Sequence, residues 1–488
     1  MMEEHSQNKS PADLFLCLFA KAEGMTAHQR RTVVKDATFK PSIENALRKN
    51  SGDDAFTAVE GLLSKGGGLP AEVNGRILMA MQAIDEFFYL INPRAQFVPL
   101  AKPAHKLPDW LRDLRDARRI SGRYAQNERF NLVPRGPLLR RDRDENASNA
   151  ESLLDRFTAL TPVPITLSID TRKINVEYVV IGLGAIDGVV AGKKTGHEKV
   201  VFIPLAEKKA DLVLSERTIS EQPYVDFFLS PSLNAANIIH EVLKNTGPVD
   251  IAFAPELVTK EEHADNLAAL LNASPVLSRM IIAGSGQTRA LCPEGLAWNE
   301  ARIFNGKGSE LWRQRKLWPA GLAAERAKEY GLDCPDGKLA MEDNAEGDTV
   351  VIADLDGLGR CVVLICQDIQ AKPMTADLID RFQPDWVFIP VLDPGVQEGR
   401  WGHQRCFELS EASNTRFMIA SSTALADRLG WKDPVACGLA IGPKAPSADG
   451  DQGRVCKEAE ILAGTAPGYA KIEWRSDGWK KSTLSANK

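Results

Sequence analysis

The run Val362-Val363-Leu364-Ile365-Cys366-Gln367-Asp368-Ile369 constrains this chain more than any other. It is apolar and largely β-branched, which predicts a buried strand, and it ends on one cysteine followed by polar residues. A thiol at the exit of a core strand sits where α/β folds place reactive groups, at the carboxyl ends of strands. Taken alone, a free cysteine is more often packing than chemistry, because it is among the most buried residue types. Two other strand ends change that balance.

The first is Val249-Asp250-Ile251-Ala252-Phe253-Ala254-Pro255-Glu256-Leu257, an apolar strand that terminates in Pro-Glu and so puts a carboxylate at the lip of a sheet. The second runs from Ser309 to Pro319 and carries Lys316 just before a Trp318-Pro319 break. A lone glutamate or lysine in such a place is ordinarily solvated. Together with the cysteine they supply a base, a cation and a thiol. That set can abstract a proton, favour a thiolate and stabilise an oxyanion.

The order of these segments resembles the carbon–nitrogen hydrolase (nitrilase) superfamily. Pro255-Glu256-Leu257 is similar to its Pro-Glu motif. Asn299 to Phe304, a turn at Asn305-Gly306-Lys307-Gly308 and Leu311 to Lys316 are similar to its lysine block, and Leu364-Ile365-Cys366 to its cysteine elbow. Asp385 to Pro390, Arg416 to Ser422 and Gly438 to Pro443 resemble the strands that follow, so the likeness runs over roughly residues 170–475. It implies an α-β-β-α sandwich, a Glu256-Lys316-Cys366 triad, and protomers joined across a helical face. A second glutamate is implied about two dozen residues before the cysteine, where Glu342 stands; Glu325 and Glu329 are rivals because they follow Lys316 more closely. The Lys316-to-Glu342 stretch is longer than is typical of the family. After the cysteine, Gln367 replaces a frequent aromatic while Asp368 keeps an acidic residue, at positions that border the substrate pocket in relatives.

The fold class expected is therefore α/β: a sandwich hydrolase domain over 166–488, preceded by a mostly helical region over 1–165 with an Arg-rich linker. In that first region Val73, Ile77, Leu78, Met81, Ile84, Phe87 and Phe88 recur at helical spacing, and 11–92 reads as a small helical bundle with a turn at Gly66-Gly67-Gly68. Between Arg112 and Arg143 there are ten arginines against four acidic residues. This favours a helix with Arg/Asp pairs on a wet face and then a flexible linker, with Arg140 to Asn146 exposed, over a phosphate-binding surface. Gly182, Gly184, Gly188 and Gly192 are off the dinucleotide spacing and predict a hairpin.

A net charge of −5 gives no overall reason to expect nucleic acid or anionic membrane, although the arginine stretch keeps nucleic acid open. No apolar stretch approaches the ~20 residues of a spanning helix. Eight scattered cysteines fit a reducing cytoplasm, and seven histidines without a His-x-x-x-His pair argue against zinc.

The activity expected is hydrolysis of a small amide or nitrile by Cys366, with Glu256 as base, Lys316 as cation and Glu342 holding Lys316, without cofactor or metal. Three alternatives stay open: acyl transfer to an amine, a regulatory or effector module recruited to a protein partner through the helical region (for example in a defence assembly), and a Cys-His pair using His240 or His403.

Overall fold

The computed structural model describes residues 9–33, 36–65, 68–92, 107–139, 152–182, 198–432 and 435–443, and the backbone of 456–462, 469–475 and 478–484. The chain divides into two compact units, Met1–Thr166 and Leu167–Lys488. Among the described residues no helix is long and apolar enough to cross a membrane.

The first unit is mostly helical, with helices Pro11–Glu23, Ala27–Arg31, Phe39–Lys49, Gly52–Ser64, Pro70–Tyr89 and Asp109–Ser121. The first starts on a capping box: Asp13 accepts from the Ser10 amide at 2.8 Å while Ser10 Oγ accepts from the Asp13 amide at 3.4 Å. Its Phe15 and Phe19 meet Leu78, Met81, Ile84 and Phe88 of the fifth helix in one core. Val73, at the start of that stripe, stays exposed. Trp110 of the last helix closes the core and donates its indole N–H to the Leu47 carbonyl at 2.9 Å.

The arginine stretch differs in part from expectation. Its helix does carry Arg/Asp pairs on a wet face, as in Asp109–Arg112 and Arg115–Asp116. The segment expected as flexible linker is instead a buried strand, Phe130–Pro134, paired antiparallel to Leu160–Pro164. Arg135 is almost wholly buried, donating to Phe157 O at 2.6 Å and to Asp155 at 2.8 Å. Arg140 to Asn146 lie outside the described residues.

The second unit, among its described residues, is built on a seven-stranded and an eight-stranded sheet with a smaller four-stranded one. The seven-stranded sheet centres on Val249–Phe253, which pairs in parallel with Lys199–Phe202 and Ser278–Leu291; the latter continues antiparallel into Ala297–Asn305 and Glu310–Arg315. The eight-stranded sheet centres on Gly359–Val363, Trp386–Leu392 and Arg416–Ser422 in parallel. Alternation along a strand assigns the faces. Ala252 turns outward into a core with Ile239 and Leu243 of helix Ala235–Thr246 and Leu267 and Leu271 of helix Glu261–Asn272. Phe253 turns inward, its ring 5.6 Å from Phe388 of the other sheet. Gln314 ties the sheets directly, donating to Thr349 O and accepting from the Val351 amide, both at 2.9 Å. Helix Trp401–Glu411 lies against strands Arg416–Ser422 and Ala436–Pro443.

The glycine hairpin is corrected. Its flanking strands, Arg172–Ile181 and Lys199–Phe202, belong to different sheets, the first pairing with Thr349–Leu355. Gly184, Gly188 and Gly192 fall outside the described residues, as do Gly66 and Gly67.

The four-stranded sheet explains the long interval between Lys316 and Glu342. That interval holds a strand (Gly321–Ala323), a helix (Ala324–Glu329) and the strand Leu339–Glu342, which pairs in parallel with Gln222–Leu229. Val225, Phe227, Leu257, Ala327, Tyr330 and Leu425 form a separate small core beneath it. Glu342 is thereby carried back towards Lys316.

Candidate active site

Three strand exits converge. Just past Val249–Phe253 the chain turns at Pro255-Glu256, and Leu257 takes a left-handed φ of 61°. Gly284 on the neighbouring strand makes the turn possible. It too is left-handed (φ 79°), and a Cβ there would lie 2.1 Å from the Pro255 carbonyl oxygen. Cys366 follows Gly359–Val363 by three residues and also has a left-handed φ, 51°. A residue other than glycine rarely adopts this conformation, and such strain persists only where surroundings enforce it, often at functional sites.

Lys316 is fully buried, an arrangement that a charge tolerates only when paired. Its Nζ donates to Glu256 Oε1 at 2.8 Å and to Glu342 Oε2 at 2.5 Å. Glu256 is held on two further sides: Asn299 Nδ2 donates to Oε1 at 3.0 Å and the Leu392 amide to Oε2 at 2.9 Å; the Cys366 thiol lies beside the same carboxylate. Glu342 Oε2 also accepts from the Ala320 amide at 2.7 Å. Glu256, Lys316 and Glu342 therefore form one hydrogen-bonded cluster, with Cys366 beside it.

Burial pushes the Glu256 carboxyl up, against Lys316, which pulls it down, while Glu342 adds to the rise. Burial likewise raises the Cys366 thiol, helped by Glu256 and Glu342 and opposed by Lys316. Lys316 is held above its ordinary value because the two carboxylates outweigh its desolvation. The site thus sets a buried lysine, two carboxyl groups and a thiol side by side.

The cluster opens on a cavity of about 240 Å³ whose walls include Glu256, Glu342 and Cys366. Phe227, Leu322, Leu392 and Trp401 make the rest largely apolar, with Arg326, Arg400 and Asp393 as its charged members.

No protein-family model matches the sequence, and no curated protein matches it. Among solved structures the chain is similar to Nit3 of Saccharomyces cerevisiae, a member of branch 10 of the nitrilase superfamily, at 13% identity and a TM-score of 0.34, covering 60% of this chain and 93% of that one. A mutant of the Nesterenkonia AN1 amidase from the nitrilase superfamily matches at 13% identity and TM-score 0.35, covering 56% and 93%. Glutamine-dependent NAD+ synthetase from Acinetobacter baumannii matches at 12% and 0.35, covering 60% of this chain and 48% of that one. The chemistry is read from this chain's own side chains.

The rival residues lie elsewhere. Glu325 and Glu329 are exposed on their helix. His240 bonds to Ser274 Oγ at 2.7 Å, and His403 accepts from the Gly399 amide at 3.3 Å and stacks on Phe407. Neither histidine lines the cavity. Among the described residues no group of three or more His, Cys, Asp or Glu is arranged to hold a metal.

Asp368 corrects the expectation that it borders the pocket. Gln367 does, but Asp368 is wholly buried behind it. Asp393, which sequence reading missed, lines the cavity and accepts from Arg400 at 2.5 Å, Trp401 Nε1 at 2.9 Å and the Gly395 amide at 3.1 Å. Its signal was available only as one acidic residue after an apolar strand, a common pattern.

Proposed function

We propose that this chain hydrolyses a small non-peptide C–N bond, an amide or nitrile, through a thioester-type intermediate on Cys366. One observation carries the reading: a fully buried ammonium, Lys316, bridges two carboxylates, Glu256 and Glu342, that share a cavity of molecular size with Cys366.

For an amide, Glu256 takes the thiol proton as Cys366 Sγ attacks the carbonyl carbon. Lys316 lies where positive charge favours both the thiolate and the tetrahedral oxyanion. Collapse breaks the C–N bond; the leaving amine takes the proton back from Glu256, and the acyl group stays on sulfur. Glu256 then removes a proton from water, which attacks the thioester. The carboxylic acid leaves and the proton returns to Cys366. Glu342 keeps Lys316 aimed through the second ion pair, and its link to the Ala320 amide fixes it to the cavity wall.

The apolar lining and a volume of about 240 Å³ suit a small acyl group rather than a polypeptide. The test is ammonia release from a panel of small amides and nitriles by the purified protein and by Cys366→Ala. Release by the wild type alone supports the reading. Equal release by both excludes Cys366 as nucleophile, and release from none of the panel by either counts against hydrolysis.

A further inference from the structure

Four backbone hydrogen bonds converge on one carboxylate that the mechanism above does not use. Asp368 Oδ1 accepts from the Leu317 amide at 3.0 Å and the Trp318 amide at 2.8 Å. Oδ2 accepts from the Leu317 amide at 3.1 Å and the Ile365 amide at 3.1 Å. Leu317 and Trp318 directly follow Lys316, and Ile365 directly precedes Cys366. The side chain is 0% exposed and does not line the cavity, so it does not touch substrate.

We infer that Asp368 is a positioning residue that sets the distance between the Lys316 ammonium and the Cys366 sulfur by clamping the two strand exits to a single carboxylate. This rests on the reading of Cys366 as nucleophile. The clamp matters because both segments have left their strands and, among the described residues, no other side chain joins the two. Lys316 directly follows Arg315, the last residue of its strand, and Cys366 holds a left-handed backbone that its short turn must enforce. Burial pushes the Asp368 carboxyl up to about 7, against Lys316 and the three amides, which favour its charged form; in that form it accepts on both oxygens at once. An amide in its place has one acceptor and one donor, so at least one N–H would face a donor.

The experiment is the pH profile of Cys366 alkylation by iodoacetamide in the full chain, resolved by peptide mass spectrometry, for wild type, Asp368→Asn and Asp368→Glu, with folding followed by circular dichroism. A clamp predicts that folded Asp368→Asn is alkylated at Cys366 at least about tenfold more slowly at neutral pH, its profile displaced to higher pH as the thiol loses Lys316. The exposed Cys17 should be unaffected. Asp368→Glu keeps the charge but moves the oxygens by one methylene, and should fall between. A folded variant with the wild-type profile overturns the proposal. Misfolding of both variants also overturns it, by assigning Asp368 to stability alone. A wild-type Cys366 no more reactive than Cys361 would instead sink the nucleophile reading, which keeps the two failures distinguishable.

Discussion

Both units bury carboxylates, and they do so for different ends. In the first, Asp85 of helix Pro70–Tyr89 accepts from the Thr158 amide at 2.7 Å and hydroxyl at 3.0 Å, and from the amides of Ala159 at 3.0 Å and Leu160 at 2.7 Å. All four donors are neutral and local to one segment, so the carboxylate staples the helix to strand Leu160–Pro164. In the second, Glu256 shares its oxygens among an ammonium, an amide side chain and a backbone N–H, and faces a cavity that Cys366 also lines. Burial raises both carboxyls. The difference lies in what each can exchange: Asp85 has no titratable partner among these donors, whereas Glu256 touches two groups that can give or take a proton.

The comparison breaks most severely at Cys366. Cys366→Ala should abolish turnover of any amide the wild type accepts, with an unchanged melting temperature within a few degrees. Cys361→Ala, five residues earlier on strand Gly359–Val363 and wholly buried, should leave turnover nearly intact. Equal loss of activity in two equally stable variants would show that the strand and not the thiol matters. Next, Glu256→Gln should lower turnover by about a hundredfold or more, because positioned acid–base groups contribute on that scale.

Lys316→Met tests the electrostatics. It leaves Glu256 and Glu342 buried together without their cation, and should cost about 3–5 kcal/mol in denaturant unfolding. Since Lys316 is the group that lowers the Cys366 thiol while burial and the carboxylates raise it, its loss should displace thiol alkylation to higher pH. An unmoved profile would separate the lysine from the thiol. Asp85→Asn is the counterpart in the first unit, expected to cost about 1–3 kcal/mol through unsatisfied backbone donors. The alkylation profile of Cys366 should stay unchanged; a changed profile would erase the distinction drawn here. Smallest of all, a chain beginning at Leu167 should fold and retain Cys366 reactivity, as expected of a unit with its own core.

Much of the second unit was legible because its strands are continuous apolar runs, and buried runs such as Val249–Phe253 and Trp386–Leu392 declare themselves without knowledge of their neighbours. Spacing to the cysteine singled out Glu342 over Glu325, and the structure brings the first to Lys316 and leaves the second exposed. The four-stranded sheet was illegible. Its strand Leu339–Glu342 is short, half of it exposed or partly so, and paired with a segment more than a hundred residues away. Asp368 was noticed but misplaced, since two of its three partners are backbone amides about fifty residues distant and none carries a side-chain pattern. In the first unit the arginine stretch read as a helix and then a flexible linker, because composition cannot reveal that Arg135 meets Phe157 O and Asp155.

The claim that geometry makes Cys366 a nucleophile is tested most directly by competitive labelling of the native protein's cysteines with chloroacetamide at neutral pH, quantified peptide by peptide. Cys17 is exposed, Cys361 and Cys406 are wholly buried, and Cys366 is buried but borders the cavity with a carboxylate beside its proton. The account predicts that Cys366 is labelled first, ahead of the exposed Cys17, and that Glu256→Gln removes this lead. Labelling ordered by exposure alone, with Cys17 first and Cys366 as inert as Cys361, would contradict it.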